Sequence, residues 1–236
     1  MEFNEYEYRW FKKLCELGYS PDVVYDIGAS NGYWSDSISN IWPETRFDLF
    51  EPLAAEATNY VDSLADILAS HSDFHLHTVG VADKAGEFEL TIFKDSFSSS
   101  FIKYGDHDAV KERKIFPVVA LDEYAALEDV PAPNVIKMDV QGLEGKIIEG
   151  GKKLIRNADI VQIEAWFYRS YGPETPLFNE IIEMMSCLDH VLVDIGGFFQ
   201  DAEGRLYAVD SIFFSRKFLD FANKAWPNFG WRPPRL

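Results

Sequence analysis

Two glycines close to the start of the chain bracket a turn that is suited to holding a ligand. Gly28 and Gly32 follow residues 23–27, an apolar and β-branched run typical of a strand buried on both faces. Such a turn lets a ligand approach the backbone and aims the next helix N-terminus at it. Ser30 stands where the dinucleotide fingerprint requires a glycine. Asp26, just before the turn, suits a ligand with an amine or hydroxyls better than a pyrophosphate.

An acidic residue follows this turn at the distance expected of a nucleoside-binding unit. Residues 46–52 are predicted to form a second strand, and Glu51 lies near its end, just before Pro52. At about 20 residues beyond a glycine turn, an acidic side chain typically meets ribose hydroxyls. Asp26, the glycine turn and Glu51 together therefore predict a site for a nucleoside-containing ligand.

Two further carboxylates end predicted strands farther along the chain. Asp139 closes the strand at residues 134–140, and Glu164 lies near the end of the strand at residues 159–166. Neighbouring parallel strands end at the same edge, so the two residues are candidates to activate a hydroxyl, as base and orienter or as ligands of one divalent metal. Lys137 shares the strand face of Asp139 and could pair with it, and a structural role for Asp139 is an equal alternative. The metal-free route is favoured because no His/Asp/Glu cluster accompanies the pair; a metal here would be magnesium, manganese or calcium rather than zinc.

The elements that position these residues alternate between strand and helix. This order predicts an α/β fold with a mostly parallel seven-stranded sheet, a terminal antiparallel hairpin and an inserted β-hairpin. The other predicted segments are a first helix near residues 4–17, helices at 53–70, 122–127 and 177–188, a helix interrupted at Gly150 and Gly151, a strand at 74–82, the inserted hairpin at 87–93 and 115–121, and the terminal hairpin at 190–199 and 208–215.

A region rich in Ser, Phe and Asp, residues 94–108, shows no periodicity and is predicted to be a mobile loop over the site. His107, within it, is the histidine that could act as a base. Trp166, Tyr168 and Tyr171 could form a stacking wall for a sugar ring or an apolar acceptor, or could simply pack. The other histidines are expected to be structural: His71, His75, His77 and His190.

The overall charge narrows the class of ligand. The 236 residues carry a formal net charge of -17, which argues against a nucleic acid partner and suits a neutral or cationic one. Cys15 and Cys187 lie far apart, as is usual in a reducing compartment. The acidic N-terminus has no signal-peptide character and no apolar run could span a membrane, so we expect a cytoplasmic protein. The sequence does not indicate its oligomeric state.

Several motifs, in order from about residue 23 to residue 214, resemble the FkbM family of S-adenosylmethionine-dependent methyltransferases. The marks that carry this resemblance are residues 26–32, 50–52, 99–101, 121–123, 136–144, 150–151 and 163–164. The chain departs from the family at Ser30, where asparagine is favoured, at Gln141, often glutamate, and at Gly151, often alanine. The resemblance implies a Rossmann-like class I methyltransferase domain at residues 23–217, between an N-terminal helix at 1–22 and a C-terminal tail at 218–236.

The resemblance also implies the reaction, which is O-methylation of a hydroxyl on a sugar, a glycolipid or a polyketide-like metabolite. No Asn/Asp-Pro-Pro-Tyr motif follows the fourth core strand, which lowers the case for N-methylation. A nicotinamide-dependent sugar enzyme and a non-catalytic domain of a biosynthetic assembly are the alternatives. The residues expected to bind the cofactor are Asp26, Gly28, Ala29, Ser30, Asn31, Gly32, Glu51, Pro52, Val81, Ala82, Asp83 and Asp139. Those expected to meet the acceptor are Ser99, Ser100, His107, Trp166 and Tyr168.

Overall fold

The computed structural model describes residues 5–55, 61–94, 96–102 and 109–226, and this part of the chain contains ten strands and eight α-helices. The strands are β1 (Val23–Ile27), β2 (Arg46–Phe50), β3 (Phe74–His77), β4 (Gly80–Ala82), β5 (Gly86–Phe93), β6 (Val110–Ala120), β7 (Val135–Met138), β8 (Ile160–Trp166), β9 (His190–Gln200) and β10 (Leu206–Ser215). The helices are α1 (Glu5–Glu16), α2 (Tyr33–Ser39), α3 (Val61–Ser70), α4 (Leu121–Leu127), α5 (Glu144–Gly150), α6 (Lys152–Asn157), α7 (Phe178–Cys187) and α8 (Arg216–Ala225).

Seven strands form the large sheet in the order β3-β2-β1-β7-β8-β10-β9. The five strands from β3 to β8 are parallel, and β10 pairs antiparallel with both β8 and β9. The predicted α/β class and the terminal hairpin are therefore confirmed. In this topology β1 and β7 are neighbours, and the chain reverses its direction of travel across the sheet between them. Ligands bind at the carboxyl ends of the strands at such a point.

The inserted segment forms a second, three-stranded sheet in the order β4-β6-β5. Here the prediction of one strand at residues 74–82 is wrong, because β3 belongs to the large sheet and β4 to the small one. The chain leaves the large sheet in a tight turn in which the Val79 amide donates to the His77 carbonyl, with an N–O distance of 2.9 Å. Residues 74–77 alternate and residues 80–82 are an apolar run, and both patterns are compatible with one continuous strand.

Apolar clusters cover both faces of the large sheet, as the alternation of strand side chains requires. The Val24 side chain packs in a cluster with side chains from α1, α2 and α8. The Tyr25 side chain packs on the other face, with side chains from α4 to α7. Helix α8 buries Phe218 and Leu219 against the first face, within the range that the sequence assigns to a tail. The predicted helix at residues 53–70 consists of a short 3₁₀ turn, Pro52–Ala55, and α3, with residues 56–60 outside the described part.

None of the helices in the described part of the chain has both the length and the apolar character needed to cross a membrane.

Candidate functional site

A cavity of about 690 Å³ opens at the carboxyl ends of β1, β2, β7 and β8, and the small sheet forms its opposite wall. This size lies within the range of small-molecule and cofactor sites. The structure brings together half of the residues expected to bind the cofactor. Those that line the cavity are Gly28, Ser30, Glu51, Pro52, Val81 and Asp139.

The turn after β1 can be formed only with a glycine at its first corner. Gly28 has a φ of 80°, and a Cβ there would lie 1.9 Å from the Asp139 carbonyl oxygen. The Gly28 and Ala29 amides both donate to the Phe50 carbonyl, which fixes the turn onto β2. Ser30 has a φ of 52°, in the left-handed region that few non-glycine residues adopt. The backbone of β1 is therefore held against that of β7, directly below the cavity.

Glu51 closes this end of the cavity from β2. Its carboxylate accepts hydrogen bonds from the Ser30 amide at 2.8 Å and the Leu53 amide at 2.9 Å, and the residue is only 5% exposed. The Ser30 hydroxyl is buried and has no hydrogen-bond partner among the described residues. A fixed carboxylate beside an unpaired hydroxyl fits a polar ligand with hydroxyl groups.

Asp26 supports this end of the site without lining the cavity. It is fully buried, accepts from the Ser35 hydroxyl at 2.7 Å and lies 3.2 Å from Lys137 Nζ. Lys137 also donates to the Gly28 carbonyl at 2.9 Å and lies 3.8 Å from the Asp139 carboxylate. Burial by itself would lower the pKa of Lys137, but the Asp26 and Asp139 carboxylates outweigh it and raise that pKa. Lys137 is therefore a buried cation that joins the two strand ends.

The other predicted cofactor residues lie near the cavity but do not line it. Ala29 packs in the core on the α2 side of the sheet. The Asn31 side chain accepts from the amide of Tyr33, the first residue of α2, at 3.1 Å, and Gly32 is the N-cap of that helix. The backbone of Ala82 and Asp83 packs closely against Gly150 of α5. A Cβ on Gly150 would lie only 2.1 Å from the Ala82 carbonyl oxygen.

Asp139 and Glu164 meet at the other end of the cavity through a residue between them. The Gln141 side-chain nitrogen donates to Asp139 Oδ1 at 2.6 Å and to Glu164 Oε2 at 3.2 Å. The Tyr171 hydroxyl donates to the Gln141 side-chain oxygen. All four residues line the cavity. Within the described residues that line it, the charged side chains are Glu51, Asp139 and Glu164, so its charge is acidic.

Burial changes the acidity of the carboxyl groups at this end. Burial raises the pKa of Glu164 well above its ordinary value, and the charges of Asp139 and Glu144 add to the increase. Burial also raises the pKa of Glu144 to about 7, against the opposing effect of hydrogen bonds from the backbone. The same two causes, burial and the nearby carboxylates, raise the pKa of Tyr171, which remains a protonated donor. A buried carboxylate with a raised pKa is a stronger base than an exposed one.

Aromatic rings form the wall beside Glu164. Trp166 stacks on Tyr207 with centroids 5.8 Å apart and meets Tyr171 edge-on at 5.1 Å. The buried Trp166 indole N–H has no hydrogen-bond partner among the described residues. Tyr168 does not line the cavity and is 49% exposed. Of the predicted stacking residues, Trp166 and Tyr171 therefore lie at the cavity.

The segment predicted to cover the site is described only in part. Ser99 lines the cavity, whereas Ser100 is buried and donates its hydroxyl to the Gln141 carbonyl at 2.7 Å. Ser100 therefore attaches the segment to the turn after β7. His107 lies outside the described residues.

The histidines with described partners form contacts away from the cavity. His71 lies 2.9 Å from an Asp36 carboxylate oxygen, and His77 lies 2.9 Å from one of Asp48. His190 is buried between two backbone carbonyls, and this burial lowers its pKa.

Sequence reasoning did not place Gln141 in the site and treated Lys137 only as a possible partner of Asp139. Lys137 had a detectable signal, since it lies two residues from Asp139 on the same face of a buried strand. Gln141 had none, because its role depends on a left-handed φ of 58° that the sequence does not reveal. Nor could the sequence show that Phe199 and Tyr207, from the terminal hairpin, reach the same cavity.

Among the described residues, no group of three or more His, Cys, Asp or Glu side chains is arranged to hold a metal ion. If a metal binds here, Asp139 and Glu164 are the side chains that would hold it, and a bound acceptor or cofactor would supply further donor atoms.

Comparison with known proteins gives a family and a fold. Residues 26–192, well over half of the chain, match the methyltransferase FkbM domain. A solved methyltransferase FkbM from Methylobacillus flagellatus KT is similar at 18% identity and a TM-score of 0.50, over 83% of this chain and 43% of that one. A chain of the fibrillarin/Nop5p complex is similar at 12% identity and a TM-score of 0.50, over 82% of this chain and 72% of that one. At these identities the two structures support the fold alone.

The chain spans less than half of the length of the Methylobacillus protein. No curated protein sequence matches it.

Proposed function

The chain belongs to the FkbM family of methyltransferases, and from this premise we propose that it is an S-adenosylmethionine-dependent O-methyltransferase. Its acceptor is a hydroxyl on a sugar, a glycolipid or a polyketide-like metabolite. The observation that carries the proposal is the position of Glu164, a buried carboxylate with a raised pKa that lines the cavity beside Asp139. Methylation of an alcohol requires a base at this point, because a neutral hydroxyl is a weak nucleophile.

The cofactor is proposed to lie along the β1 and β2 ends of the cavity. Gly28 and Ser30 would lie under its amino-acid part, and Glu51 would accept hydrogen bonds from its ribose hydroxyls. Pro52 and Val81 would flank the adenine. When bound, S-adenosylmethionine supplies a methyl group already activated by its sulfonium. The acidic lining suits this cationic centre, and the ion pair of Asp26 with Lys137 holds the turn in place.

The acceptor is proposed to lie between Glu164 and the aromatic wall. Glu164 would take the proton from the acceptor hydroxyl as the new carbon–oxygen bond forms. Asp139 would orient that hydroxyl, and the Trp166 N–H, which has no partner among the described residues, offers a donor to a second oxygen of the acceptor. In-line geometry supplies much of the rate, since good orientation of two reactants can contribute roughly 7–11 kcal/mol. A positioned base adds on the order of 10²–10⁴-fold.

We favour the metal-free route, in which the protein carboxylates alone activate the hydroxyl. Gln141 already donates to both carboxylates, so the pair is held by a hydrogen-bond donor. The nicotinamide-dependent alternative has less support, because the turn contains Ser30 in place of the required glycine and the family is one of methyltransferases.

A transfer assay with S-[methyl-¹⁴C]adenosylmethionine tests the proposal. The acceptors are a panel of neutral sugars, glycolipids and macrolides, with matched amines and carboxylic acids as competitors. We expect label in a base-stable ether, with turnover unchanged after the metals are removed by a chelator. Label in an amine or an ester would contradict O-methylation of a hydroxyl, and no transfer to any of the three hydroxyl classes would contradict the acceptor assignment. A rate that a chelator abolishes and added magnesium restores would contradict the metal-free route.

A further inference from the structure

Gln141 is the one glutamine of the chain that lines the cavity in the described structure, and it forms hydrogen bonds with four residues of the site. Its side-chain nitrogen donates to Asp139 after β7 and to Glu164 on β8. Its side-chain oxygen accepts from Tyr171, and its backbone carbonyl accepts from Ser100. Every hydrogen-bonding group of the residue except its backbone amide is thus paired with a residue of the site.

The backbone at this position is costly and is held by its surroundings. Gln141 has a φ of 58°, a conformation that costs a non-glycine residue of the order of 1–3 kcal/mol and persists only where neighbours impose it. The Glu144 carboxylate accepts from the Val140 amide at 3.2 Å and the Gly142 amide at 3.1 Å, on both sides of Gln141. This arrangement turns the Gln141 side chain back toward the carboxylates.

The orientation of the amide group also follows from its surroundings. Two carboxylates can accept only from the nitrogen end of the amide, so the oxygen end must face Tyr171. Tyr171 can supply the required proton, because its phenol stays protonated in this acidic and buried place. The groups that face Glu164 are Lys137 from β7, Asp139 directly after β7, Glu144 from α5, Asp210 from β10 and the Gln141–Tyr171 pair. Of these, Gln141 is the side chain that contacts both candidate catalytic carboxylates.

We infer that Gln141 is a positioning residue, whose side-chain amide holds the Asp139 and Glu164 carboxylates in one fixed arrangement for the acceptor hydroxyl. The catalytic role of Gln141 rests on the proposed function. The arrangement of its hydrogen bonds can be tested without an acceptor. Tyr171 fixes which end of the amide faces the carboxylates, and Ser100 ties the cavity wall to the same turn.

Nuclear magnetic resonance of the full chain can test this geometry, because Gln141, Gln162 and Gln200 are its only glutamines. With the side-chain amides labelled with ¹⁵N, the nearly isosteric variant Gln141→Met identifies the Gln141 signals. We expect these signals to shift in Asp139→Asn and in Glu164→Met, while the exposed Gln200 remains unmoved. In Tyr171→Phe the Gln141 amide protons should exchange with water about tenfold faster, as the loss of one hydrogen bond implies.

Gln141 signals that coincide with those of a free amide, and that respond to neither carboxylate variant, would overturn the inference. Asp139 is partly exposed, so Asp139→Asn keeps the test valid if Glu164→Met fails to fold. In the transfer assay, Gln141→Met should lower kcat by about tenfold or more and leave the KM for S-adenosylmethionine unchanged; an unchanged kcat would overturn the positioning role. Calorimetry with S-adenosylhomocysteine on the same wild-type sample separates the two claims. A protein that shows the amide shifts but binds no S-adenosylhomocysteine would contradict the proposed function and keep the geometry.

Discussion

The two ends of the cavity are built in different ways. At the β1 and β2 end, the turn of Gly28 and Ser30 is fixed by backbone hydrogen bonds to β2 and by the Glu51 carboxylate. At the β7 and β8 end, side chains contact side chains, and Gln141 joins Asp139 to Glu164. One end depends on the path of the backbone and the other on the chemistry of individual side chains.

This difference separates the expected effects of substitution. A change at the first end should alter folding or cofactor affinity, because the backbone there leaves no room for an added atom. A conservative change to Asp139 or Glu164 at the second end should lower the rate and leave cofactor affinity unchanged. If changes at the first end lowered only the rate, and changes at the second end weakened cofactor binding, the division between a cofactor end and an acceptor end would be wrong.

The largest effect is expected from the carboxylates at the acceptor end. Glu164→Gln should lower the rate at saturating cofactor by about 10²–10⁴-fold, because the variant cannot take the proton of the hydroxyl. Asp139→Asn should lower it less, since an amide still orients a hydroxyl. Steady-state kinetics with S-adenosylhomocysteine calorimetry as the control would check both. Full activity in both variants would rule out these residues as catalytic, and His107 would be tested next.

The next effect concerns the glycine turn, where a matched pair is available. Gly28→Ala should destabilise the fold by about 2–5 kcal/mol, since left-handed strain adds to an overlap with the Asp139 carbonyl. Gly18→Ala should cost only about 1–2 kcal/mol, because Gly18 has a similar φ of 88° but no atom within 4 Å of the added Cβ. Urea unfolding of the two variants measures the difference, and equal losses would contradict the close contact of β1 with β7.

A pH-dependent effect of intermediate size is expected at Glu144. Burial raises its pKa from 4.5 to about 7, so between these values the folded protein binds a proton that the unfolded chain has released. Stability from this group is therefore lost as the pH rises through that window. Relative to the wild type, Glu144→Gln should gain up to about 3 kcal/mol of unfolding free energy between pH 4.5 and pH 7.5. Unfolding curves at both pH values measure the gain, with Glu123→Gln on the exposed face of α4 as control; parallel behaviour of the two variants would contradict the raised pKa.

The smallest effect is expected at Glu51, from the loss of contacts to the ribose. Glu51→Ala should weaken S-adenosylhomocysteine binding by about 1–3 kcal/mol, the usual cost of removing hydrogen bonds to a charged group. Glu87→Ala, on the exposed part of β5, is the matched control. An unchanged dissociation constant in a folded Glu51→Ala protein would reject the ribose assignment.

The sequence predicted most of the fold and the backbone end of the site, because both depend on local patterns. The buried strand at residues 23–27 and the two glycines after it can be recognised from residue types alone. Glu51 then follows from its spacing. The division of residues 74–82 between two sheets could not be predicted, since both parts are compatible with a strand and Val79, where the chain turns, is itself a strand-favouring residue.

The acceptor end was predictable only in its parts. Asp139 and Glu164 were identified because each lies at the end of an apolar strand. Their link through Gln141 depends on a left-handed backbone conformation, and the contact of Tyr207 with Trp166 depends on the return of the terminal hairpin. Both arise from tertiary structure, and no pattern within a short window shows them.

A calorimetric titration of the wild-type protein with S-adenosylhomocysteine and, separately, with NAD tests the proposed cofactor site directly. We expect saturable binding of S-adenosylhomocysteine at one site per chain and no heat of binding with NAD. Binding of NAD in its place would support the nicotinamide-dependent alternative. Failure of the folded protein to bind either ligand would contradict the assignment of the β1 and β2 end as a cofactor site.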